Sequence, residues 1–168
     1  VIDNVKDLVN KRISFIRNRQ QMNNPRDLRD GAYMVYDCEA DSIYPNNTPN
    51  CNPVDRDEGA ERVGMGVLLA KQYLLSDKKD NDLKSSLLRY AKFLRTRLQT
   101  PEYVTYSSVD QKNRNRAYNY VWIAEFYFYM YRATGNRQFV RDGYETLRSM
   151  FRQFGHGFYG IGYPVCLG

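Results

Sequence analysis

Apolar positions follow two different patterns along this 168-residue chain. Segments 57–75 (DEGAERVGMGVLLAKQYLL) and 115–133 (NRAYNYVWIAEFYFYMYRA) are apolar on nearly every side. Three further segments carry a single apolar stripe at helical spacing. These are 2–19 (Ile2, Val5, Val9, Ile13, Ile16), 81–99 (Leu83, Leu87, Leu88, Ala91, Leu94, Leu98) and 137–153 (Phe139, Val140, Tyr144, Leu147, Phe151, with Phe154 just beyond). A helix without a polar face must be enclosed by other helices, whereas a one-striped helix lies outside a layer. The order along the chain is therefore outer, inner, outer, inner, outer, which predicts an all-α protein built of helical hairpins.

Punctuation supports this division. Asp3 and Asp7 lie early and Arg17 and Arg19 late in the first helix, as the helix dipole favours, and Pro25 closes it. Asp55 or Asp57 can cap the second helix. That helix contains Gly59, Gly64 and Gly66, which predicts close approach by neighbouring helices, because glycine inside a helix costs about 1 kcal/mol relative to alanine. Gly135 followed by Asn136 predicts a left-handed stop to the fourth helix. Three extended Gly/Tyr segments, 31–37, 102–107 and 157–163, follow the outer helices, and polar loops at 39–56 and 108–113 lead into the inner ones. Outer helix, extended segment, polar loop and inner helix thus recur twice, and a third copy stops before its inner helix. Such self-similarity marks a repeat architecture whose units bury one another's apolar faces. It predicts a single domain over 1–168 that belongs to a longer parent or packs on a second chain.

Composition narrows the function. Fifteen tyrosines, eight phenylalanines and one tryptophan concentrate where helices meet loops, a distribution suited to stacking on sugar rings. The net charge of +6 raises nucleic acid as a partner, but Lys11, Arg12, Arg17, Arg19, Lys84, Arg89, Lys92, Arg95 and Arg97 are scattered over solvated faces. A soluble surface, or an acidic polysaccharide, accounts for the charge without nucleic acid. No apolar run reaches the roughly 20 residues needed to cross a bilayer, so no membrane partner is expected. Cys38, Cys51 and Cys166 have no zinc-type spacing and only His156 to assist them, so no metal or other cofactor is expected. Cys38 and Cys51 flank an Asn/Pro loop and can form a disulfide in an oxidising compartment or remain thiols. The absence of a signal peptide says little about location, and the balance leans to a secreted or periplasmic protein.

Three stretches carry a family resemblance: Glu61-Arg-Val-Gly-Met-Gly-Val-Leu-Leu-Ala70, Tyr118-Asn-Tyr-Val-Trp-Ile-Ala124 and Tyr131-Arg-Ala-Thr-Gly-Asn136. They resemble the α/α-toroid, or six-hairpin, glycosidase-like proteins that act on polysaccharides. The resemblance covers most of the chain as a pattern, implies a carbohydrate substrate, and extends to toroid lyases, epimerases and terpenoid cyclases. It aligns no family's catalytic motif, and a full toroid needs about twice as many hairpins.

In such an architecture the loops entering the inner helices converge, which selects residues 55–62 and 114–125. Paired carboxylates can act as general acid and base on a glycosidic bond when they lie roughly 5–10 Å apart. Asp57, Glu61 and Glu125 are the catalytic candidates. Asp57 serves equally as a cap, and Glu58 is assigned to the helix dipole. Glu61 and Arg62 are the last charges before Lys71, so they are expected to pair or to face a cavity. Glu125 is the only charge between Arg116 and Arg132, and is expected to be desolvated among Trp122, Ile123, Phe126, Tyr127 and Phe128, or paired with Arg62 or a tyrosine. Arg62, Arg116, Tyr118, Asn119, Tyr120 and Trp122, with Arg114, are the substrate-binding candidates. On helical geometry Tyr118 and Trp122 share a face that Asn119 and Tyr120 do not. His156 reads as a dipole partner rather than a proton carrier. Two functions compete: part of a glycoside hydrolase using carboxylate chemistry, with a polysaccharide lyase next to it, or a non-catalytic helical-repeat module that binds a glycan or a protein.

Overall fold

The second and fourth helices run side by side in the same direction, each paired with the helix that follows it. The computed structural model describes residues 4–44, 58–110 and 115–155. Among them lie helices α1 (Val5–Phe15), α2 (Val63–Leu75), α3 (Asn81–Phe93), α4 (Ala117–Thr134) and α5 (Arg137–Phe154). A short antiparallel ladder, β1 (Tyr36–Asp37) with β2 (Ser42–Ile43), is the only sheet among these residues. The chain is all-α.

Local chemistry sets the helix ends. Asn4, Asp80 and Asn136 cap α1, α3 and α5 by accepting from the backbone N–H of Lys6, Leu83 and Gln138 at 2.8–2.9 Å. Gly135, at φ 72°, closes α4 in the left-handed conformation predicted for it. The start of α2 differs from expectation: a 3-10 turn, Ala60–Arg62, precedes it without a side-chain cap, and Gly59 is extended rather than helical. Asp55 and Asp57 lie outside the described residues.

The repeat is visible in two places. α1 and α3 each end in a single π-helical turn, Ile16–Gln20 and Leu94–Leu98. Each turn is followed by a glutamine bridged to the returning extended segment, Gln21 to Tyr33 and Gln99 to Thr105. The third extended segment, 157–163, lies outside the described residues.

Three contacts define the parallel pair. Glu61 meets Arg116 at the leading ends, Gly66 faces Phe126 in the middle, and Lys71 lies over the Tyr129 ring 4.8 Å away further along. Fully buried Tyr90 of α3 fills the space beneath α2, with its ring 4.4 Å from Tyr33 and 5.2 Å from Phe126. The α4–α5 hairpin is antiparallel: Asn115 at the start of α4 bonds Gln153 at the end of α5. A Cβ on Gly143 would stand 2.6 Å from the Phe128 ring, so glycine permits this close crossing.

Three stripes depart from expectation. In α1 only Ile13 is buried, with Ile16 just after the helix, while Val5 is 72% exposed. The leading half of α1 therefore stands away from the core. In α3 Tyr90 and Phe93 replace Leu88, which is 41% exposed. In α5 the inward face holds Phe139, Asp142, Gly143, Thr146, Ser149 and Met150, and Tyr144 is 60% exposed. Hydrogen bonds explain this rotation. Asp142 accepts from the Tyr103 hydroxyl and the Gln138 amide at 2.8 Å, and Thr146 accepts from the Gln99 amide at 2.9 Å. These bonds satisfy polar groups that could not otherwise be buried.

The inner helices are not enclosed all round. Gly64, Leu68, Lys71 and Leu75 on α2, and Tyr118, Trp122, Glu125 and Tyr129 on α4, recur at intervals of four, three and four residues and retain solvent exposure. They form one partly open face on the pair.

Candidate functional site

At the leading end of that open face the two inner helices leave a hollow of about 290 Å³, lined by Ala60, Glu61, Val63, Gly64, Val67, Trp122 and Glu125. This lies at the lower edge of the roughly 300–1,000 Å³ typical of ligand pockets. α2 supplies one wall through its first turn, and α4 supplies the other from its second and third turns.

Several predicted residues meet here. Glu61 and Glu125 both line the hollow. An Arg116 Nη1 donates to Glu61 Oε1 at 3.4 Å and also to the Tyr118 hydroxyl. The Tyr118 ring packs against Trp122, with centroids 4.9 Å apart. The Glu61–Arg116 pair is partly open to water, with side chains 29% and 20% exposed, so its contribution to stability is small. The shared face expected of Tyr118 and Trp122 is present.

Other predicted residues are placed differently. Asn119 and Tyr120 are fully buried, which takes them out of reach of a ligand in the hollow. Asn119 donates its side-chain amide to Ser107 Oγ at 2.8 Å, and the Tyr120 hydroxyl accepts from Gln153 at 2.8 Å. Burial pushes the Tyr120 phenol above its ordinary value. Arg62 does not pair with Glu61 or Glu125. Its Nε is enclosed without a hydrogen-bond partner among the described residues, and its charge acts on the buried phenol of Tyr90. Glu125 is only partly buried, because it sits on the wall of an opening rather than among the apolar side chains that flank it in sequence. Asp57, Arg114 and His156 lie outside the described residues, as does Cys51, so the proposed Cys38–Cys51 pairing has no structural description.

Two residues hold the site together in ways the sequence did not disclose. Glu58, fully buried, accepts from Val109 N–H at 3.1 Å and so anchors the loop that leads to α4. Ser107 in that loop accepts Ala60 N–H on its carbonyl at 2.9 Å and the Asn119 amide on its hydroxyl. The entrances of α2 and α4 are thereby joined through one short segment, 107–109. Nothing in an Asp-Glu-Gly or Tyr-Ser-Ser sequence signals such a long-range tie. Among the described residues no cluster of three or more His, Cys, Asp or Glu side chains is arranged to hold a metal ion. No helix there is long and apolar enough to cross a membrane.

A solved polysaccharide lyase shares this fold. It is 74% identical to this chain, superimposes on 99% of it with a TM-score of 0.93, and is about four times as long, the chain spanning 25% of it. No protein-family profile and no curated protein matches the chain. At this identity the backbone that brings Glu61, Arg116, Tyr118, Trp122 and Glu125 together is one the solved structure also adopts.

Proposed function

We propose that this chain is part of a carbohydrate-active enzyme that cleaves a polysaccharide, and that the hollow between α2 and α4 contributes to its active site. The observation that carries the reading is the convergence of two carboxylates and a tryptophan on one opening, with Arg116 bonded to Glu61 and Tyr118 packed on Trp122 beside it. It is supported by the chain's similarity to a quarter of a polysaccharide lyase. Beyond the hollow, the part of the open face formed by Leu68, Lys71, Leu75 and Tyr129 suits further hairpins of an α/α toroid, supplied by a longer parent.

The chemistry we favour is lytic. In a β-elimination a base removes the proton next to a uronic-acid carboxylate, the C–O bond to the leaving sugar breaks, and a C=C bond forms as the leaving oxygen takes up a proton. Arg116 is suited to hold the carboxylate in a planar, charge-assisted contact, with Glu61 orienting the guanidinium. Tyr118 is suited to move the proton, and Trp122 offers a face on which a sugar can stack. Hydrolysis is the second reading, favoured by Glu61 and Glu125 lining the same hollow, where a carboxylate pair can serve as acid and base. Asp57 remains a candidate in that scheme.

Product analysis separates the readings. The full-length protein is incubated with acidic and neutral polysaccharides. A lyase yields an ultraviolet-absorbing unsaturated end, whereas a hydrolase yields saturated ends carrying oxygen from labelled water. Loss of turnover in Arg116→Gln and Tyr118→Phe supports elimination; loss in Glu61→Gln and Glu125→Gln with saturated products supports hydrolysis. Binding without any cleavage would reduce the chain to a glycan-binding helical module.

A further inference from the structure

α2 carries two glycines, two residues apart, in opposite surroundings. Gly66 is accounted for inside the chain: a Cβ there would stand 2.5 Å from the ring of Tyr90 and 3.0 Å from Phe126. Gly64 is not. Its backbone is ordinary helix, with no positive φ to require glycine, and among the described residues a Cβ built on it meets nothing within 4 Å. Glycine at a helical position weakens the helix relative to alanine, and no side chain or backbone among the described residues makes use of the missing atoms. Among the described residues Gly64 faces the hollow, whose lining it shares with Glu61, Trp122 and Glu125. At about 290 Å³ that hollow has space for little more than one sugar ring, so a side chain projecting from its floor would consume much of it.

We propose that Gly64 is a specificity-determining residue: it keeps the first turn of α2 bare so that one pyranose ring of the polysaccharide lies over the helix backbone, with a face on Trp122 and its edges towards Glu61 and Glu125. The inference rests on the reading of the hollow as a carbohydrate site. A sugar presents a hydroxyl-bearing edge and a C–H face, which match the carboxylates and the indole respectively. Side chains at position 64 exclude the ring in proportion to their size without touching the protein's own core. A large-to-small gradient in affinity should therefore appear with no matching gradient in stability.

The test uses the full-length protein with Gly64→Ala, Gly64→Leu and Glu125→Gln. Retardation is measured in gels containing polygalacturonate, alginate, chondroitin sulfate or xylan, alongside KM and kcat on whichever of these is cleaved, and thermal unfolding of each variant. Ala and Leu should unfold at or above the wild-type temperature, while KM or the retardation constant rises modestly for Ala and about tenfold or more for Leu, as expected for steric overpacking of a ligand. Leu binding as tightly as wild type overturns the inference. A lowered unfolding temperature for Leu also overturns it, because the space over Gly64 would then be filled by another part of the protein. Wild-type turnover in Glu125→Gln counts against the catalytic role of that residue while leaving the Gly64 result to stand on its own gradient. A wild-type protein retarded by none of the four polymers contradicts both.

Discussion

Replacing Gly66 by alanine sets two effects of similar size against each other. Alanine improves helix propensity by about 1 kcal/mol. The new methyl group, however, would lie 2.5 and 2.8 Å from two carbons of the Tyr90 ring and 3.0 Å from Phe126. Ordinary contact begins near 3.4 Å, so the Tyr90 ring must retreat by roughly 1 Å. It has nowhere to go: the ring is fully buried, with Tyr33 at 4.4 Å, Phe126 at 5.2 Å and Phe93 at 6.1 Å between centroids. Overpacking costs about 1–3 kcal/mol, and a ring enclosed this tightly lies in the upper half of that range, at about 2–3 kcal/mol; subtracting the propensity gain leaves a net loss of about 1–2 kcal/mol. In a chain of this length that lowers the unfolding midpoint by about 2–8 °C. Urea and thermal unfolding followed by circular dichroism measure it, with Gly64→Ala in the same helix as the control expected to be neutral or stabilising by up to about 1 kcal/mol. A Gly66→Ala protein as stable as wild type would refute the packing of Tyr90 against α2, and with it the seating of the two inner helices.

Asn136→Ala removes the cap that accepts Gln138 N–H at 2.9 Å and should cost about 1 kcal/mol in urea unfolding, whereas Asn136→Ser should recover most of it. Arg116→Gln breaks a pair that is 20–29% exposed and 3.4 Å long, so stability should change by less than about 1 kcal/mol, while turnover of the full-length protein falls by about tenfold or more; equal loss of both would make the pair merely structural. Alkaline titration should separate the tyrosines into two groups. Burial raises the phenols of Tyr33, Tyr90 and Tyr127 above their ordinary value of 10.0. The fold therefore favours their neutral form, so this contribution to stability is complete below pH 10 and is lost as pH rises further. Tyrosinate absorbance should appear first from exposed rings and then, together with unfolding, from the buried ones; a single step with the fold intact would contradict their burial.

The helices were legible in the sequence because their signals are local. Caps at Asn136, a glycine stop at Gly135 and helical periodicity each act within a few residues. The recurrence of outer helix, extended segment and inner helix was legible too, and the structure answers it with matching π-helical turns and glutamine bridges. What periodicity misjudged was the face of α5, where Val140 and Tyr144 point outward and Asp142, Thr146 and Ser149 point inward. Hydrophobicity alone cannot anticipate that, because partners 39–47 residues away in sequence satisfy Asp142 and Thr146. Candidate site residues divided on the same principle. Helical spacing separated Tyr118 and Trp122 from Asn119 and Tyr120, and placing Glu61 near Glu125 followed from the two entrances converging. The enclosure of Arg62 Nε, and the ties of Glu58 to Val109 and of Ser107 to Ala60 and Asn119, depend on distant contacts that leave no mark on the neighbouring sequence.

The most direct test of the account is a structure of the full-length protein with an oligosaccharide bound. We expect a sugar ring over Gly64, stacked on Trp122 within hydrogen-bonding reach of Glu61 and Glu125. Finding the space between α2 and α4 packed with other protein side chains, and the sugar bound elsewhere, would contradict it.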